Sequence, residues 1–356
     1  MSVDASHPLA LQAQTITSRS YASYKNLAPG AGTPTPTPMD NSAANQAFIP
    51  YRFEFLRAEG GDYAHNPTTT PTPNPLDCTT IPGDNAARYQ RKLCQALTQV
   101  QGRYLSYGDS NPIFAEFFAD ALGATTSGGQ PYLLGVQDPI STGCDADNSG
   151  HGRGLSQEGA SRWGRGNQCA NSNNPGTPWS VRWDRADQIL VHYYTGIHLR
   201  DATGTSLTPA YRWNPLQINW GTADNRPPAM YHDGSYPISI QVQNTSIDNW
   251  YCTPPNYSYT LRYRWARAGH ADVTGSSTAS VCGQTKGDPS PMKNLTISDI
   301  PDWGPGAYTL RFDIYVGSTD GDFWFGKDWP SYDVQLCVDG PCKLFLPLVL
   351  KNYSGW

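Results

Sequence analysis

Gly150-His151-Gly152-Arg153-Gly154-Leu155-Ser156-Gln157-Glu158-Gly159-Ala160 is the stretch on which the reading of this chain turns. It is completed downstream by Ala186-Asp187-Gln188-Ile189-Leu190-Val191-His192-Tyr193-Tyr194-Thr195-Gly196. Glycines on alternate positions let a backbone pass close to a neighbour in conformations a side chain forbids. Between them stand an imidazole, a guanidinium, a hydroxyl and an amide, which suit a polar lining better than a core. On residue pattern alone the stretch is a glycine-rich turn entering a helix near Ser156, with Gln157 and Glu158 in the first turn. No strand-plus-acid context makes it a nucleotide fingerprint.

Outward from this stretch, composition narrows the class. Only 15% of the 356 residues are charged, while Gly, Pro, Tyr and Trp are plentiful, the profile of a loop-rich, β-rich extracellular protein. A net charge of −5 argues against non-specific binding to nucleic acid or anionic membranes. No apolar run is long enough to span a bilayer, and the chain shows no signal peptide.

Eight cysteines stand at Cys78, Cys94, Cys144, Cys169, Cys252, Cys282, Cys337 and Cys342, without a Cys-x-x-Cys pair. The even number favours disulfides in an oxidising compartment. Pairing of neighbours would close four short loops, although connectivity stays open. No metal or cofactor is expected. His151, His192, His198 and Cys144 lack tight ligand spacing, and Ser156 with His151 lacks a nucleophile elbow.

Residues 8–25 read as a helix with Pro8 at its start. Thr-Pro tracts at 33–38 and 68–73 favour extended, polyproline-like backbone, and Phe48–Phe55 between them allows a short strand. Strands are expected over 102–108 and 113–118, then a small-residue loop, Thr125-Thr126-Ser127-Gly128-Gly129-Gln130. Of Trp163, Trp179 and Trp183, at least two are expected to pack rather than to face a sugar. Beyond Asp201, alternation in 238–242, 259–265, 308–314 and 332–336 marks half-buried strands. Their spacing suggests an antiparallel sandwich of immunoglobulin type. The apolar tail 343–351 fits a last strand or a docking peptide.

Taken together, Gly-His-Gly-x-Gly-x-Ser-Gln-x-Gly-Ala, the later Ile-Leu-x-x-Tyr-Tyr-x-Gly phrase and the Ser127-Gly128-Gly129 loop resemble the SpoIID/LytB (stage II sporulation protein D) family. The helix containing Ala10-Leu11-Gln12-Ala13-Gln14 and Arg19-Ser20-Tyr21-Ala22 is similar to that family's as well. The resemblance implies an α+β SpoIID-like domain over 1–200, with the Thr-Pro tracts as surface insertions, followed by an all-β sandwich over 201–356. It implies a secreted or cell-surface bacterial protein whose partner is peptidoglycan or another polysaccharide. The oligomeric state is left open. The implied activity is lytic transglycosylation of MurNAc–GlcNAc strands, with Arg19, His151 and Gln157 in catalytic positions. The implied substrate-binding residues are Gln14, Ser127, Gly128, Gly129, Ser156, His192, Tyr193 and Tyr194. The family's catalytic Glu falls at about Met1, where this sequence has none. Glu158, whose ionised form a helix N-terminus favours, and Glu116, expected to face solvent, are the weaker acids. The alternative is a non-catalytic glycan-binding or surface-structural protein on the same scaffold.

Overall fold

The computed structural model describes residues 7–27, 85–144, 150–171 and 173–340. The Thr-Pro tracts, the Phe48–Phe55 stretch, the tail and the Met1 position lie outside the described residues. The described chain divides into two compact units. One runs to Thr177 and resumes over Trp183–Leu207; the other takes Pro178–Arg182 and the chain from Thr208 onward.

Among the described residues the first unit mixes four α-helices with short strands. Helix α1 (Pro8–Leu27) packs against α2 (Asn85–Gln99), α3 (Gln157–Arg165) and α4 (Ala186–Tyr193). Its buried face holds Ala10, Ala13, Ile16, Thr17, Ser20 and Tyr21, at the three- and four-residue spacing of one helical stripe. α2, which was not expected, buries Cys94 and Ala96, and Val100 directly after it is buried too. Strand β1 (Tyr104–Ser106) pairs antiparallel with β4 (His198–Arg200), while β2 (Phe117–Phe118) pairs parallel with β3 (Leu155–Ser156). The Ser20 hydroxyl accepts the Leu105 amide at 2.8 Å, pinning β1 to α1. α4 is buried along its whole length. Trp163 and Trp183 are fully buried and stacked, with ring centroids 3.9 Å apart.

The second unit is built from sheets. β5 (Trp213–Asn219), β6 (Tyr236–Asn244) and β10 (Lys293–Ile297) form one in the order β10-β6-β5. The larger sheet runs β8 (Val273–Thr274), β7 (Asn256–Ala266), β11 (Gly306–Ser318), β12 (Phe323–Trp324). On it β9 (Ala279–Ser280) joins β7, and β13 (Tyr332–Val338) joins β11. All pairings in both sheets are antiparallel. Period-2 alternation buries Tyr259, Leu261, Tyr263 and Trp265 on β7, and Tyr308, Leu310, Phe312, Ile314 and Val316 on β11. Each such side chain contributes about 1.5–3 kcal/mol of burial. Tyr263 joins the two sheets: its hydroxyl donates to the Thr296 carbonyl at 3.1 Å and accepts the Ser298 amide at 3.0 Å.

Disulfides Cys144–Cys169 and Cys252–Cys282 close two of the neighbour loops. Cys94 and Cys337 are disulfide-bonded too, and Cys78 and Cys342 lie outside the described residues. No described helix is long and apolar enough to cross a membrane.

Candidate functional site

The glycine-rich stretch crosses the chain entering β2 tightly at Gly154. Gly154 has φ +74°, and a Cβ there would lie 1.9 Å from the Glu116 carbonyl oxygen. That overlap is with backbone, which has nowhere to go, so the neighbour Gly154 makes room for is the chain's own backbone at Glu116. The stretch then bonds along both flanks: Leu155 N–H to the Glu116 carbonyl at 3.1 Å, and Thr126 N–H to the Gly152 carbonyl at 2.8 Å. Thus the Thr126–Gly129 loop is laid beside His151 and Arg153. At the far end Ser156 caps α3, its hydroxyl accepting the Gly159 amide at 3.1 Å.

The chemistry on this face begins with Glu116. Its side chain is buried, against the expectation that it faces solvent, because Arg153 grips it bidentately: Nε to Oε2 at 2.8 Å and Nη2 to Oε1 at 2.6 Å. His151 is exposed, and its Nδ1 accepts the Arg153 amide at 3.1 Å. Partial burial, and then the Arg153 charge, push the His151 imidazole below its ordinary value. With Thr126, Ser127 and Gly129 also exposed and Gly128 half-buried, these residues form a polar strip of hydroxyls, imidazole and guanidinium.

A second polar group lies where α1 meets α3. Gln157 donates to the Gln14 side-chain oxygen at 3.1 Å, and Gln14 donates on to Ser18 at 3.0 Å. Next to Gln157, Glu158 is half-buried and its carboxyl is raised above the ordinary value. Burial is the largest cause; Arg162 opposes it and Asp120 adds to it. The helix N-terminus was expected to hold Glu158 ionised; burial instead raises its carboxyl.

The remaining expected site residues are elsewhere. His192, Tyr193, Tyr194 and Ser156 are fully buried and line no surface. The Tyr193 hydroxyl donates to Asp138 Oδ2 at 3.0 Å, and Tyr194 donates to the Glu116 carbonyl at 2.6 Å. His192 packs edge-on against Trp163, Trp183 and Tyr193, with Nε2 3.7 Å from Asp138 Oδ1. Arg19 donates one Nη to the carbonyls of Val100 and Arg103, at 2.8 and 2.7 Å, and so holds the α2–β1 turn. Of the expected set, then, Ser127, Gly128, Gly129 and His151 come together on one face, and Gln14 with Gln157 on another.

Sequence reasoning left out the hub beneath them. Asp138 is wholly buried and accepts from Trp163 Nε1 at 2.7 Å, Ser141 at 2.8 Å and Tyr193. His192 and these donors outweigh desolvation and hold its carboxyl below the usual range. Asp120 and Arg162 form a second buried pair at 2.6 Å. The signal for both was the rare occurrence of charged residues in apolar surroundings, which demand partners once buried. Comparison with protein-family models and with curated proteins finds no match for this chain.

Proposed function

We propose that the first unit acts on glycan strands of the peptidoglycan type as a lytic transglycosylase, with Glu158 as its acid–base. The observation that carries this is the carboxyl of Glu158: half-buried, raised by desolvation, and in the first turn of α3, where the preceding Gln157 is bonded to Gln14. A lytic transglycosylase needs one such group. Protonated Glu158 gives its proton to the glycosidic oxygen as the C1–O bond breaks. As carboxylate it then takes the proton of the muramic C6 hydroxyl, whose oxygen closes onto C1 as a 1,6-anhydro ring, and no water is consumed. The amides of Gln14 and Gln157 offer hydrogen bonds to sugar hydroxyls. The polar strip of Thr126, Ser127, Gly129, His151 and Arg153 offers more. The test is incubation of the chain with denuded glycan strands and mass spectrometry of the products. 1,6-Anhydro-muramic ends support the reading; only hydrolytic ends, or none, reject it.

One observation favours a second reading, glycan binding without catalysis. Glu116, the carboxylate on the strip itself, has both oxygens engaged by Arg153. On that reading glycan strands bind without being cut, and His151→Ala weakens retention on insoluble peptidoglycan. The immunoglobulin-type assignment of the second unit, and a role for it in placing the first on wall glycan, belong to the same proposal.

A further inference from the structure

Three segments of the second unit meet at one point. His232 lies in the turn before β6, Asp302 in the loop before β11, and Asp339 directly after β13. One ligand atom from each lies within 4.8 Å of the other two. Asp339 Oδ1 accepts the His232 amide at 3.0 Å, and Oδ2 lies 3.1 Å from His232 Nδ1. None of the three segments is loosely placed. Met230 and Val338 form a parallel bridge, flanked by Met230 N–H to the Cys337 carbonyl at 3.2 Å and Asp339 N–H to the Met230 carbonyl at 2.9 Å. The Tyr308 hydroxyl holds the Asp302 loop, donating to Pro301 and Gly304 carbonyls at 3.1 and 2.9 Å and accepting the Trp303 amide at 3.0 Å.

We infer that His232, Asp302 and Asp339 form a binding site for a divalent transition-metal ion of the zinc class. Ligand atoms around one such ion, each about 2.1 Å from it, stand roughly 3–4.3 Å apart. The His232–Asp339 separation already meets that spacing, and the exposed Asp302 side chain has room to close the rest. An imidazole beside two carboxylates selects zinc, manganese or cobalt over calcium and magnesium, which take oxygen ligands. The electrostatics point the same way: two carboxylates near one another repel unless a cation lies between them. The neighbouring guanidinium of Arg267 points its donors at the Trp303, Gly304 and Pro305 carbonyls and bonds neither carboxylate. Three protein ligands leave the outer positions to water, because His232 and Asp302 are exposed. The ion would clasp the turn before β6 and the loop before β11 to the end of β13. The sequence reading expected no metal, as these residues lie 37 or more positions apart and share no local motif.

The test is titration of the full chain with Zn2+ by calorimetry, repeated with Co2+ followed by its visible d–d absorption. One equivalent should bind, with a cobalt spectrum free of thiolate charge transfer. Asp302→Asn removes a carboxylate from an exposed loop position, and His232→Ala removes the only nitrogen ligand. Each should weaken binding at least about tenfold, while circular dichroism stays that of the unchanged chain. Sub-stoichiometric binding to the unchanged chain overturns the inference without reference to any variant. So does a one-equivalent site whose affinity both variants leave intact, or one that Ca2+ fills as tightly as Zn2+.

Discussion

Arg153 and Glu116 are joined by two parallel hydrogen bonds, the guanidinium in the glycine-rich stretch and the carboxylate on the strand beneath it. The carboxylate is almost wholly enclosed, whereas the arginine side chain remains 36% exposed. Removing the arginine strands a buried charge, which costs more than the pair itself contributes. Arg153→Ala is therefore expected to destabilise the first unit by about 2 kcal/mol, discounted for the exposure of the arginine. Adding Glu116→Gln should return about half of that. Urea unfolding of the single and double variants measures it, and additive losses would show that the two side chains are not coupled.

Two glycines separate strain from steric need. Gly154 and Gly129 share a left-handed backbone, at φ +74° and +77°, but a Cβ at Gly129 meets open space while one at Gly154 meets the Glu116 carbonyl. Gly129→Ala should cost about 1–2 kcal/mol, the left-handed penalty alone. Gly154→Ala adds a backbone collision and should cost more than about 3 kcal/mol or prevent folding. Equal denaturation midpoints for the two variants would contradict this.

Asp313, on β11, is buried and its carboxyl is pushed up to about 6 from an ordinary 3.8; burial outweighs the Arg264 guanidinium 3.4 Å away. A folded-state value above the unfolded one favours folding while the group is protonated. The contribution is whole below about pH 4 and is lost as pH rises through about 6. Asp313→Asn, which stays uncharged, should gain on the unchanged chain across that window by on the order of 3 kcal/mol, since each tenfold in proton affinity is worth about 1.4 kcal/mol. Thermal unfolding of both proteins at pH 4 and pH 7 tests it. A difference that stays constant would place the ionised form of Asp313 in the folded protein at both values.

What the sequence made legible was local. The alternation in Tyr259–Trp265 and Tyr308–Ile314 marks strands because one face of each is buried, and that pattern needs no knowledge of partners. Ser156 before Gln157 marks a helix start for the same reason. The misread residues are those whose environment is made by distant chain. Glu116 is buried by an arginine 37 positions away. The family resemblance implied that His192, Tyr193 and Tyr194 line the site, but Asp138 and the Glu116 carbonyl meet the tyrosine tips inside the core. At Glu158 the burial that raises the carboxyl is not visible in the local sequence. The His232, Asp302 and Asp339 cluster on the second unit assembles from three separate segments and has no sequence signature.

The measurement closest to the centre is the rate of 1,6-anhydro-muramic end formation on denuded glycan strands, for the unchanged chain and for Glu158→Gln, with glycan retention measured on both. Gln keeps the side chain's size but cannot exchange a proton. We expect the variant to bind glycan as the unchanged chain does and to form anhydro ends at least about a hundredfold more slowly. Anhydro ends formed at the same rate by both proteins would contradict the assignment of Glu158. Their absence from both, with binding retained, would leave the first unit a glycan-binding module.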